Sequence, residues 1–80
     1  MAKTLGSPRH EAVRAFLIEE REKAGLTQAA VAKRLGRYQS FIATIEAGQR
    51  RVDIVELLDL ADAIGFDAAA MIRRLSKVKR

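Results

Sequence analysis

The sequence predicts an all-α domain, a bundle of five short helices around one small core. Three observations carry that expectation. Ala, Leu, Ile, Val, Glu, Lys and Arg dominate, a helical-bundle composition, against one proline, three phenylalanines, one tyrosine and no tryptophan. Apolar residues recur at spacings of three and four rather than in strict alternation. Helix-starting and helix-ending residues punctuate the chain at short intervals. Eighty residues supply one core and leave no room for a second, so residues 1–80 read as a single domain.

The elements follow in order. Ser7 and Pro8 make a helix start, a capping hydroxyl followed by proline at the first helical position, and the helix runs over about 8–24 to Gly25. Residues 1–6 precede it as a flexible arm. Its apolar stripe is Ala12, Val13, Phe16 and Leu17, with Ala24 a weaker member. His10, in the first turn, reads as a solvent-exposed or capping residue. Thr27 caps a second helix over 28–35, with Val31, Ala32 and Leu35 inward and Gly36 as its stop. A third, over 39–47, buries Ile42 and Ile45 and ends at Gly48. Asp53 caps a fourth over 54–64, where Ile54, Leu57, Leu58, Ala61 and Ile64 form the stripe and Gly65 closes it. Asp67 caps a fifth over 68–76, with Met71, Ile72 and Leu75 on one side and a basic end suited to the helix dipole. Residues 77–80 form a basic tail.

Several function classes drop out. With no cysteine and one histidine the chain has no disulfide framework and cannot close a zinc site. It holds no Gly-rich phosphate loop and no nucleophile–base arrangement, so neither an enzyme nor a cofactor is expected, and no small-molecule ligand is evident. Apolar runs fall far short of the ~20 residues that span a bilayer, and the first residues lack the apolar core of a signal peptide. The expectation is a soluble, cytoplasmic protein away from membranes.

The net charge of +5 is unevenly placed. Residues 27–51 carry Lys33, Arg34, Arg37, Arg50 and Arg51 against Glu46 alone, whereas 52–66 carry four acids and no base. Positive charge returns in 67–80. Such asymmetry suits a surface that neutralises phosphates on one side. The basic stretch is also where two short helices meet at a tight turn, the spacing of a helix-turn-helix that sets its second helix in the DNA major groove. With Ile42 and Ile45 inward, Gln39, Ser40, Ala43 and Thr44 face out, and residues at the amino end of such a helix lie nearest the base edges. Gln39 has the chemistry to pair bidentately with adenine N6 and N7, and the Ser40 and Thr44 hydroxyls can meet several bases. The read side of this helix is shortened by Ala43 and Ala47, which shifts weight toward DNA shape. Gln28 and its capping neighbour Thr27 stand where free backbone N–H groups favour an anion, with no carboxylate between Gly25 and Gly36. Arg37, Arg50 and Arg51 flank the third helix and are candidates for phosphate contact. Lys33 and Arg34 have a weaker claim, as solvated residues of the second helix.

From about Leu17 to Leu75 the chain resembles the phage repressor/Cro type of helix-turn-helix regulator, the XRE family. The resemblance is carried by Arg21, Gly25-Leu26-Thr27-Gln28, Val31-Ala32, Leu35-Gly36, Gln39-Ser40, Ile42, Ile45-Glu46, Gly48, Arg50-Arg51 and the Leu57, Ala61, Ile64-Gly65 helix, in order and with matching gaps. It implies a five-helix fold that acts as a dimeric repressor on a palindromic double-stranded operator, with the third helix in the major groove. It also implies base reading by Gln39, Ser40 and Thr44, a phosphate contact from Gln28 that braces Gln39, and a structural salt bridge between Arg21 and Glu46. Three features depart from the pattern: Tyr38 stands where a capping Ser or Thr is common, Phe41 where a small polar residue is common, and Ala43 and Ala47 shorten the reading surface. Phe41 is expected to pack inward rather than meet a thymine methyl. Val55, Ala68, Ala69 and Val78 exceed what the core needs and, with Ile72, form a candidate homodimer interface. The competing reading is a protein-interaction module or antitoxin-like regulator that uses the same fold to bind a protein.

Overall fold

The computed structural model describes residues 6–79, which form five helices: α1 (Pro8–Lys23), α2 (Gln28–Leu35), α3 (Gln39–Glu46), α4 (Ile54–Ile64) and α5 (Ala68–Ser76). Residues 1–5 of the expected arm and Arg80 of the tail lie outside the described residues. Four helices begin on a side chain that accepts an otherwise unpaired backbone N–H. Ser7 Oγ takes that of His10 at 3.2 Å, Thr27 Oγ1 that of Ala30 at 3.0 Å, and Asp67 Oδ1 that of Ala70 at 3.1 Å. Asp53 completes a capping box, accepting from Glu56 N–H at 2.7 Å while Glu56 Oε1 accepts from Asp53 N–H at 3.1 Å. Each such cap stabilises its helix by about 1 kcal/mol. Only α3, which starts on Tyr38, has no side-chain cap. Two ends fall one residue short of expectation: Ala24 and Ala47 are C-caps of α1 and α3 rather than members.

Met71 and Val31 sit fully buried at the centre, surrounded by Leu17, Ala32, Ile42, Ile45, Leu57, Leu60, Ala63 and Ile64. α2 packs against both α3 and α4, while α1 packs on α3 and α5, and α5 also meets α4. The rim is closed by half-buried side chains, among them Phe16 and Phe66, whose rings meet edge to face at 5.3 Å. That is the favoured aromatic geometry. Ala24, expected as a weak stripe member, is exposed because α1 has already ended.

The phase of α4 also differs from expectation. Because α4 packs against α2 and α5, its buried arc is broad and runs through Leu57, Leu60, Ala61, Ala63 and Ile64. Ile54 and Leu58, expected inside, are 61% and 50% exposed. In α5 the row through Ala68, Met71 and Leu75 turns inward, and Ile72, about 100° further round the helix from Met71, is left exposed. No described helix is long and apolar enough to cross a membrane.

Candidate nucleic-acid interface

The turn between α2 and α3 is made by Gly36, which takes a left-handed conformation (φ +69°) that side-chain-bearing residues adopt at a cost. Val31 and Ala32 of α2 and Ile42 and Ile45 of α3 share the core, so the two helices form one unit. What α3 turns outward is then fixed by its period. Gln39 and Ser40 are exposed, and Ala43 and Thr44 are half-buried. Thr44 Oγ1 donates to the Ser40 carbonyl at 2.6 Å, so its hydroxyl proton is used within the helix and only its lone pairs face out.

Behind this face runs a chain of side-chain hydrogen bonds. Arg21 grips Glu46 with two parallel bonds, Nε to Oε2 at 2.6 Å and Nη2 to Oε1 at 2.9 Å, while its Nη1 donates to the Leu26 carbonyl at 2.8 Å. Gln28 Nε2 donates to Glu46 Oε1 at 2.9 Å, and Gln39 Nε2 donates to Gln28 Oε1 at 3.4 Å. Burial pushes the Glu46 carboxyl upward, but the bonds from Arg21 and Gln28 and the nearby charges of Arg21 and Arg14 outweigh it. The group is held below the ordinary glutamate value. Arg21 is held above its own ordinary value by the bond to Glu46, against opposing desolvation. An ionised carboxylate only accepts, so Gln28 must turn its NH2 to Glu46 and its oxygen to Gln39. Gln39 must then donate to Gln28, which leaves it one N–H and its carbonyl oxygen. Those are the two groups that a bidentate contact with adenine uses.

The cations around α3 divide by what already holds them. Arg37 and Arg51 are exposed and make no ion pair among the described residues. Arg50 is half-buried; its Nη2 donates to Glu56 Oε2 at 2.9 Å, and its Nη1 is buried with no hydrogen-bond partner. Arg34 donates to the Ala63 carbonyl at 2.7 Å, supplying a positive group at the carboxyl end of α4, whose last turn has no base of its own. Thr27 is exposed with its hydroxyl engaged in the cap, and Gln28 is half-buried within the network. Phe41 is half-buried against the core, in line with packing inward.

Sequence reasoning missed three residues with structural roles, two of them tying α1 to the end of α3. Arg14 Nε donates to the Glu46 carbonyl at 2.8 Å, and a His10 ring nitrogen lies 3.3 Å from the Gly48 carbonyl. His10 is thus half-buried against the end of α3 rather than free in solvent, because α1 packs on α3. The third is Arg34. A signal existed for the first two: His10, Arg14 and Arg21 lie on one stripe of α1, at i, i+4 and i+11. Of the candidate interface residues, Val55, Ala69 and Ile72 are exposed and Val78 is half-buried. Ile54 and Leu58 join Val55 on the open side of α4.

Comparison with known proteins adds to this picture. Residues 12–75 match the family model described as a helix-turn-helix domain. An XRE-family like protein from Pseudomonas syringae pv. tomato str. DC3000 is 41% identical, over 85% of this chain and 83% of that one, with a TM-score of 0.81. The restriction-modification controller protein C.AhdI from Aeromonas hydrophila is 28% identical over 88% of this chain and 99% of that one, with a TM-score of 0.71. The clp gene regulator ClgR from C. glutamicum shares the fold at 22% identity, over 85% and 88% of the two chains, with a TM-score of 0.76. No curated protein matches the sequence.

Proposed function

The chain belongs to the XRE-type helix-turn-helix family of regulators, and from that premise we propose that it is a sequence-specific, dimeric transcriptional repressor of the cytoplasm. It binds a palindromic double-stranded operator with α3 in the major groove. The observation that carries the reading is the outward face of α3: Gln39 and Ser40 exposed, braced from behind through Gln28, and flanked by Arg37 and Arg51. Gln39 reads adenine, while Ser40, Thr44 and Ala43 fill the rest of the base-facing surface. Arg37, Arg51, Thr27 and Gln28 set the register on phosphates, and Arg50 joins them to the extent that Glu56 releases it.

Dimerisation rests on the open apolar side of α4 and α5. Ile54, Val55, Leu58 and Ile72 are 44 to 62% exposed, a patch that a two-fold partner would cover. The two α3 helices would then meet half-sites about one helical turn apart, on the order of 34 Å. A dimer seated across a promoter represses by occupying it.

The test is selection from a random duplex pool at fixed salt, with the wild type beside a Gln39/Ser40/Thr44→Ala variant, and with sedimentation of the wild type and Ile72→Asp. The expected result is a two-fold-symmetric site that the triple variant loses, and a monomeric Ile72→Asp protein with weakened binding. A pool that stays unenriched, with equal salt-sensitive binding by both proteins, would favour a protein partner instead.

A further inference from the structure

Two guanidinium groups stand over one ring. Arg37 Cζ lies 3.8 Å from the centroid of Phe41, and Arg50 Cζ lies 4.9 Å from it. Phe41 itself belongs to the first turn of α3 and packs against the core, so its ring is a fixed platform. The two arginines differ in what else holds them. Arg50 is tied to Glu56 at 2.9 Å, whereas Arg37 forms no side-chain hydrogen bond or ion pair among the described residues. A Cζ only 3.8 Å above the ring centroid fits a guanidinium laid face to face on the ring. Stacking of that kind leaves the edge, where all five N–H donors lie, unused.

We propose that Phe41 is a positioning residue for DNA binding: it holds the Arg37 guanidinium beside the amino end of α3, ordered in advance with its donors free for a backbone phosphate. The proposal rests on the DNA-binding reading above. Without the platform, Arg37 would be a long exposed side chain on a turn, and binding would have to order it. It would also be free to swing to the carboxylates of Glu56 and Asp59, which line the same cleft as Arg37 and Phe41. Ordering one such side chain in advance is worth about 2- to 10-fold in affinity. Because a phosphate carries no base identity, the gain is common to all duplexes.

The experiment titrates two duplexes, the selected operator and an unrelated sequence, with wild type, Phe41→Leu, Phe41→Tyr, Arg37→Lys, Arg37→Ala and the Phe41→Leu/Arg37→Ala double variant. Phe41→Leu and Arg37→Lys are expected to weaken both duplexes by the same factor, about 2- to 10-fold, with the salt slope kept. Arg37→Ala is expected to weaken both and to reduce the salt slope by about 1. In the Arg37→Ala background Phe41→Leu has no further effect, and Phe41→Tyr binds as wild type. Arg37→Lys leaves the core untouched, so it carries the test even if Phe41→Leu fails to fold. The proposal is overturned by full affinity in Arg37→Lys, by additive losses in the double variant, or by a loss confined to the operator. Wild-type protein that binds neither duplex overturns the DNA-binding reading along with it; the other failures leave that reading standing.

Discussion

Replacing Arg21 with methionine tests the bridge beneath the reading helix. Methionine keeps an unbranched stem in the site and removes the charge and all three bonds that Arg21 makes to Glu46 and Leu26. Glu46 is buried and would keep one donor, Gln28. Removing one partner of a buried pair costs about 3–5 kcal/mol, against a total of roughly 4–12 kcal/mol for a chain of this length. One kcal/mol moves the midpoint of so small a domain by about 4–8 °C, so a drop of more than about 12 °C is expected. The pH dependence is the sharper readout. In the wild type the folded Glu46 pKa lies below its unfolded value, so its stabilisation is present above about pH 4.3 and is lost as pH falls through the folded value. In Arg21→Met, desolvation, the largest single influence on Glu46, is opposed only by the Gln28 bond and the Arg14 charge, and the folded pKa is expected to rise above the unfolded one. Stability from this group then increases as pH falls. The stability gap between the two proteins should therefore narrow from pH 7 to pH 4. Urea unfolding followed by circular dichroism at several pH values measures that gap. A cost below about 1 kcal/mol, the range of an exposed pair, or a gap that does not narrow with acid, refutes the reasoning.

Three further outcomes are expected. Tyr38→Ser supplies the side-chain cap that α3 lacks and should raise stability by about 1 kcal/mol, read as a higher thermal midpoint. Gly36→Ala and Gly48→Ala both strain a left-handed position by about 1 kcal/mol, but they should not cost the same. A Cβ at Gly36 meets open space, while one at Gly48 comes within 3.1 Å of Arg14 Nε and disturbs its bond to the Glu46 carbonyl, so Gly48→Ala should melt at the lower temperature. Arg34→Ala removes the charged donor at the end of α4 and should cost about 1 kcal/mol. DNA affinity of that variant, measured well below its midpoint, should match the wild type; a phosphate-binding Arg34 would instead lower it.

Local chemistry explains which parts of this fold were legible in the sequence. Ser7, Thr27, Asp53 and Asp67 each act within a few residues, and all four caps fall where the side-chain type points. The pairing of Arg21 with Glu46 came through family resemblance, since 25 positions separate them. The errors are tertiary. Ile54, Leu58 and Ile72 fit a helical period as well as their buried neighbours do, and only the placement of α2, α1 and α5 around them decides which row is covered. The division among the arginines was equally out of reach. Arg34, Arg37, Arg50 and Arg51 look alike as basic residues near a turn, yet one caps a helix, one stacks on a ring, one stacks and pairs, and one is free of ion pairs.

The relay from Arg21 through Glu46 and Gln28 to Gln39 also bears on how such a protein acquires a new target. The outward residues of α3 are not a cartridge that can be lifted into another bundle. A graft would carry Gln39 but leave behind the carboxylate that decides which way round its amide is held. Conversely, a change in α1 that loosens Glu46 would let Gln28 and then Gln39 turn over, without altering any residue of the proposed reading face. On the proposed reading, sequence preference can therefore drift through half-buried positions behind the reading face. A library built to redirect this protein should vary Arg21, Gln28 and Glu46 together with the reading face.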